Sequence, residues 1–251
     1  MPRSFLLLPV LVAVLAAGLT LTARAVPAAD IGSAEDCQRA IDTDASTARE
    51  AAAVWARSGG GVPARLCEAA ALEAMGATAS AARILTALAS NPNRAMDRDL
   101  RLVTLADGAR LWLAAGAPDE AGAALDAADQ LGPPTPERRL LRARVAAARS
   151  DWPAALAALD PVLEADPADG AARALRAAAL RLSGDAAAAE VEADRARVDA
   201  PDSPEALFEA AAARAELGDR AEAARLWLDL IARFPESSLV AVARRNLQSL
   251  Q

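Results

Sequence analysis

The residues able to do chemistry in this 251-residue chain are few in kind: two cysteines, 34 carboxylates, and arginine as the sole cationic side chain. There is no His, Lys or Tyr, so the usual general bases near neutral pH and the imidazole ligands of metal sites are missing. Carboxylates do occur in pairs, namely Asp97 with Asp99, Glu190 with Glu192, and Glu205 with Glu209. From such a pair a carboxylate-based hydrolase would be built. The surrounding sequence marks no cleft for any of them, and on the helices of an acidic protein carboxylates mostly solvate the surface. The expectation is a non-enzymatic protein, with the hydrolase as an alternative. Gly59-Gly60-Gly61 lacks the following Lys and the preceding strand of a phosphate-binding loop, and it reads as a flexible connection. No cofactor is expected. Nor is a metal, because a zinc site needs about four ligands, usually Cys or His at short spacing.

The N-terminus bears on what the two cysteines do. Arg3 is followed by an apolar run from Phe5 to Thr22 without a charge and then by Ala23-Arg24-Ala25. Residues 1–25 therefore read as a secretory signal peptide, cut after Ala25 or, as a variant, near Ala28. A run of about 18 residues is also long enough for a marginal membrane span, so an uncleaved anchor is the alternative; Pro9, Gly18 and the Ala23/Ala25 pair favour cleavage. Ala34-Glu35-Asp36 before Cys37 is not the small apolar context of a lipoprotein signal, and no lipid anchor is expected. The expected location is periplasmic or secreted, with an inner-membrane-anchored form facing the periplasm as the alternative. Cleavage would remove two of the 27 cationic residues and no acid, leaving 25 − 34 = −9. In an exported chain Cys37 and Cys67 are expected to pair, the alternative being two buried free thiols. Nucleic acid is excluded as a partner. A chain of net charge −7 with four Trp and three Phe neither neutralises phosphates nor stacks bases.

The elements that must position these residues are helices. Ala makes up nearly 30% of the chain, a strong helix former, and the scarcity of aromatics leaves little for sheets. Gly and Pro together number 28, below the level of a disordered chain. A fixed period organises the rest: Pro133, Pro167, Pro201 and Pro235 are 34 residues apart. Twelve residues before each stands Ala121, Ala155, Ala189 or Ala223, and five before that a turn residue, Gly116, Ser150, Gly184 or Gly218. Asp151, Asp185 and Asp219 come directly after three of those turns. Glycine at the end of a first helix accepts the left-handed conformation that reverses the chain, and proline closes the unit because it cannot continue a helix.

At this spacing the chain resembles the tetratricopeptide repeat, a 34-residue helix-turn-helix with the pattern W-x2-L-G-x2-Y, A-x3-F, P. Leu105-x2-Gly108-Ala109-x2-Trp112 matches its first helix best, and Ala223-x3-Trp227 ending at Pro235 its second. Elsewhere Leu, Ala or Arg stands where the family has aromatics, so the periodicity carries the resemblance. It implies an all-α fold, an α-solenoid of stacked helix-turn-helix units. Those units run 102–135, 136–169, 170–203 and 204–237, with a divergent one at 62–95 and an insertion of about seven residues within 91–97. Residues 26–61 form an N-terminal helix pair, Ser33 to Ile41 and Ala45 to Arg57, with the glycine-rich connection after it. Residues 238–251 form a capping helix that places Leu239, Val242, Leu247 and Leu250 on one face, because the last repeat otherwise exposes its apolar side. Trp55, Trp112, Trp152 and Trp227 read as packing residues.

The resemblance also implies a function: a scaffold that binds a protein or peptide through the concave face lined by first helices. A membrane-anchored adaptor in envelope or cytochrome biogenesis is the alternative if the N-terminal segment is retained. Cys37 and Cys67 fall early in neighbouring first helices, within bridging reach. Arginines recur at the period, Arg139 with Arg173, Arg142 with Arg176, and Arg110 with Arg144. Their alternative reading is solvation, since the long stem of Arg covers Ala-rich surface. Arg110 and Arg144 would share one concave position, with Leu140, Leu141, Leu175 and Phe208 offering apolar contact nearby. The Lys and Asn of the family's carboxylate clamp are absent there. The expected partner is an extended segment carrying a carboxylate beside apolar side chains.

Overall fold

The structure, a computed structural model, describes residues 31–92 and 95–250. The segment expected to be a signal peptide lies outside them, and among the described residues no helix is long and apolar enough to cross a membrane. The chain folds as α1 (Ala34–Thr43), α2 (Ala45–Trp55), α3 (Gly61–Ala74), α4 (Thr78–Ser90), α5 (Arg98–Ala114), α6 (Pro118–Leu131) and α7 (Pro136–Ala148). It continues with α8 (Trp152–Ala165), α9 (Gly170–Leu182), α10 (Ala186–Asp199), α11 (Pro204–Glu216), α12 (Arg220–Arg233) and α13 (Leu239–Ser249). There is no strand among the described residues. Each helix packs on its neighbour in sequence, and α1 also touches α3, α5 touches α7, α7 touches α9, α9 touches α11, and α11 touches α13. Odd-numbered first helices thus form one layer and even-numbered second helices the other, an α-solenoid.

The turn inside each pair from α3–α4 onward is set by one backbone state, whereas α1 and α2 meet at Asp44 in an extended conformation. Gly76, Gly116, Gly184 and Gly218 have φ of 75°, 72°, 97° and 90°, and the residue after the turn donates back to the first helix, as in Ala117 N to Trp112 O at 2.9 Å. At the same place in the fourth pair stands Ser150, with φ 58° and the equivalent bond from Asp151 N to Ala146 O. A side chain in this left-handed region costs about 1 kcal/mol relative to Gly. Ser150→Gly is therefore expected to stabilise the chain by about that amount, read as a higher urea midpoint at unchanged slope; a lower midpoint would contradict this account of the turn.

Immediately after the turn the chain caps its next helix. Asp151, Asp185 and Asp219 accept hydrogen bonds from the backbone N–H groups of Ala154, Ala188 and Glu222, satisfying donors left free at the starts of α8, α10 and α12. The alanines of the period, together with Ala81, are all fully buried, so a methyl is the largest group the contact accepts. Gly108 shows the same constraint, since a Cβ there would stand 2.6 Å from Thr86 Cγ2. The four prolines of the period lie in the connections between pairs. The C-terminal end has the bulkiest core, with Leu207, Phe208, Leu226, Trp227 and Leu230 buried and Val240 and Ala243 of α13 closing it. Leu239, Val242, Leu247 and Leu250 pack against that core only in part.

Three local features differ from the sequence reading. α5 begins at Arg98, a turn ahead of residue 102, with Asp97 capping it through Leu100 N at 2.7 Å. The helix thus begins directly after the segment 91–97. Gly59-Gly60-Gly61 is no loose connection: it is a tight kink between α2 and α3, with Gly59 at φ 98° and Gly61 at φ 56°. Gly60 is pinned there, because a Cβ would fall 2.6 Å from the Trp55 ring. Cys67 lies midway along α3 rather than early, opposite Cys37 of α1, with Cα atoms 5.9 Å apart and the disulfide formed.

Candidate functional site

Three of the six periodic arginines, Arg142, Arg173 and Arg176, hold the two layers together, as does the neighbouring Arg138. Arg142 of α7 reaches back to Asp126 and Asp129 of α6 at 3.0 and 2.7 Å, and Arg176 of α9 faces Asp160 of α8 at 3.7 Å. Arg173 joins Glu192 and Asp199 of α10 and donates to the carbonyl of Pro167. Arg138, only 5% exposed, binds Asp129 and the carbonyls of Gly132 and Pro133. These guanidiniums neutralise second-helix carboxylates and satisfy connection carbonyls that proline leaves without helical partners. Five of the six paired carboxylates are likewise engaged: Glu190 faces Arg214, Glu192 binds Arg173, Glu205 accepts from the Ser203 hydroxyl, Glu209 binds Arg181, and Asp97 caps a helix. Among the described residues no group of three or more Cys, Asp or Glu is placed to hold a metal ion.

One ladder of first-helix positions is different. It runs Arg110 on α5, Arg144 on α7, Ala178 on α9 and Ala212 on α11, each 34 residues from the last. Arg110 donates to Glu73 of α3 at 3.0 Å. Beside this pair lies Asp107, exposed at the surface, whose carboxyl is pushed up by partial desolvation, with Arg110 opposing the rise and Glu73 adding to it. Arg144 is exposed and has no hydrogen-bond or ion-pair partner among the described residues. Where the ladder changes from Arg to Ala the floor drops away. The result is an open cleft of about 440 Å³ lined by Arg144, Leu175, Ala178, Glu205 and Glu209 on α7, α9 and α11. Burial pushes the Glu209 carboxyl up despite its 2.8 Å bond to Arg181 Nε, and Arg181 also binds Glu216 at 2.9 Å.

Of the residues singled out from sequence, the cleft brings together Arg144 and Leu175. Arg110 stands one repeat away, engaged with Glu73. Leu140 and Leu141 are half-buried and pack inward, onto the Leu159 cluster and the Leu125 cluster respectively. Phe208 is 8% exposed and belongs to the C-terminal core. Its register matches a concave position, but the bulky second helix α12 beneath it draws the ring inward. Sequence reasoning passed over Ser203, Glu205, Glu209 and Ala178; the step from Arg144 to Ala178 at the repeat period is the signal that would have found the cleft.

No protein-family model matches the chain, and no curated protein does. Solved structures share its fold. A tetratricopeptide repeat protein from Parabacteroides merdae is 12% identical, with a TM-score of 0.61 over 86% of this chain and 90% of that one. A thermophilic tetratricopeptide repeat protein of Thermus thermophilus, TTC0263, is 19% identical, with a TM-score of 0.57 over 74% and 96%. YrrB, described as a tetratricopeptide repeat protein with an unusual peptide-binding site, is 15% identical, with a TM-score of 0.50 over 85% and 100%. At these identities the likeness is one of fold, and it agrees with the period, the turns and the helix pairs: the chain is an all-α solenoid of the tetratricopeptide-repeat type.

Proposed function

We propose that the protein is a non-enzymatic interaction scaffold that binds an extended protein or peptide segment along its first-helix face, centred on the cleft beside Arg144. The observation that carries this reading is a free guanidinium next to a half-buried Leu175, in a chain whose other inner-layer arginines are largely spent on carboxylates. Arg can hold a carboxylate through two parallel hydrogen bonds while the leucine wall takes an adjacent apolar side chain. The peptide-binding site described for YrrB supports the reading by analogy of fold. We also propose an exported location, supported by the charge-free run Phe5 to Thr22 and Ala23-Arg24-Ala25; retention of that segment would make the same scaffold a membrane-anchored adaptor.

The test is a set of fluorescent extended peptides that place Leu beside a free or an amidated C-terminal carboxylate, titrated against the full chain by anisotropy. Arg144→Ala is expected to weaken the best free-acid peptide by about 1 to 3 kcal/mol, roughly fivefold to over a hundredfold, with helical content unchanged. Arg110→Ala should leave it nearly unaltered, because that guanidinium is already paired. Added salt should weaken binding. Equal affinity for wild type and Arg144→Ala would refute the role of the cleft.

A further inference from the structure

The cleft beside Arg144 has two unlike walls. On the α7 side stands the unpartnered Arg144 guanidinium, and on the α11 side stand Glu205 and Glu209, with Leu175 of α9 between them. Glu205 is exposed in the first turn of α11 and accepts a 3.0 Å hydrogen bond from the Ser203 hydroxyl. A helix N-terminus favours that charge, yet among the described residues no cation pairs with it. Glu209 is bound by Arg181 Nε at 2.8 Å, but the same guanidinium also serves Glu216 at 2.9 Å. Three carboxylates of α11 thus have one arginine among them, and this wall is negative. First helices stack about 10 Å apart, and with α9 between them α7 and α11 stand about 20 Å apart at the backbone. Side chains reaching in from both walls narrow the gap to what about four residues of extended chain, at about 3.3 Å each, would cross.

Resting on the peptide-binding reading above, we propose that the cleft selects segments that carry a cationic side chain about four residues before a C-terminal carboxylate. The carboxylate would lie on Arg144, the apolar residue beside it on Leu175, and the Lys or Arg against Glu205, with Glu209 adding to the negative field. This fixes the direction of the bound chain, which would run from α11 towards α7. It also fixes what is rejected. A segment with several acids, which Arg144 alone would attract, would set like charge against Glu205, and such a juxtaposition discriminates between partners more than it adds affinity.

The probes are free-acid peptides ending in Leu, alike except for Lys, Ser or Glu four residues before the terminus, titrated against the full chain by fluorescence anisotropy. The Lys peptide is expected to bind at least fivefold tighter than the Ser peptide, and the Ser peptide tighter than the Glu peptide. Glu205→Gln, an exposed change that can still accept from Ser203, should cut the preference for Lys over Ser at least threefold. Arg144→Ala should weaken the Lys and Ser peptides by the same factor. Moving the Lys next to the terminal Leu, which keeps the net charge, should lose most of the preference. Equal affinity for the Lys and Ser peptides, with binding still dependent on Arg144, overturns this inference and leaves the peptide-binding reading standing. A Lys preference that survives Glu205→Gln, or that persists when the Lys is moved, does the same, since general attraction to an acidic protein would then explain it. Binding of none of the peptides at millimolar concentration, or binding indifferent to Arg144→Ala, overturns both.

Discussion

Breaking the Cys37–Cys67 bridge is expected to release the N-terminal helix pair while leaving the later repeats folded. The bridge joins α1 to α3 across a separation of 30 residues, and closing a loop of that length stabilises by about 3 to 4 kcal/mol in the chain-entropy account. The pair has little else to hold it. Its buried cluster consists of Ile31, the two half-cystines and the methyl groups of Ala40, Ala48, Ala51, Ala52 and Ala71, and each alanine removes little apolar surface from water. A contribution of this size is a large share of a domain's total stability, yet its effect should stay local, because each unit of a solenoid touches mainly its neighbours. Hydrogen exchange on Cys37→Ala/Cys67→Ala should show α1 and α2 losing protection while α7 to α12 keep theirs. Unchanged protection in α1 and α2 would mean that the methyl cluster suffices. Uniform loss along the chain would mean that the repeats unfold as one unit.

The second large effect concerns the alanines of the period. Ala189 of α10 has no exposed surface, and the same holds for Ala155 and Ala223 in the adjoining pairs. Ala189→Leu inserts three further heavy atoms where α10 meets α9, and overpacking of this kind costs about 1 to 3 kcal/mol or more, since a dense interior gives way only by moving backbone. Ala187→Leu supplies the control on the same helix: its side chain is exposed, and the change should fall within about 0.5 kcal/mol of neutral. Urea unfolding of the two variants separates the accounts. A midpoint for Ala189→Leu equal to that of Ala187→Leu would show that the buried contact has room to spare.

The architecture was legible because it rests on backbone rules that leave residues at fixed spacings. A left-handed turn selects Gly76, Gly116, Gly184 and Gly218, a close helix contact selects Ala, and a chain that must leave the helix admits Pro. Each rule acts on one position, so the period survives where the family's aromatics have gone. The connection at Gly59-Gly60-Gly61 was misread because glycine runs usually mean slack. Here the Trp55 ring occupies the place of a side chain on Gly60, and the run is a tight kink joining two helices. The start of α5 was misplaced because Asp97, the residue that caps it, lay inside the segment taken as an insertion.

The candidate site was legible only in part, for a different reason. Sequence spacing tells which arginines share a face but not which carboxylate each one meets. Arg142 and Arg144 are two residues apart; one is bound to Asp126 and Asp129 across the layer, while the other is free. Phe208 was misplaced because its ring packs into the core formed with Leu226, Trp227 and Leu230 of α12, a contact that spacing along the chain does not show. Trp227 was read correctly as packing, yet its orphaned N–H is a fact of three dimensions that no spacing reveals.

The central claim is that partners are held on the first-helix face. Hydrogen exchange of the full chain with and without the tightest free-acid peptide tests it most directly. The account predicts slowed exchange in α7, α9 and α11 around Arg144, Leu175 and Glu209, with α8, α10 and α12 unchanged. Protection confined to α8, α10 and α12, on the opposite layer with its exposed Val191, Val198 and Leu228, would contradict it.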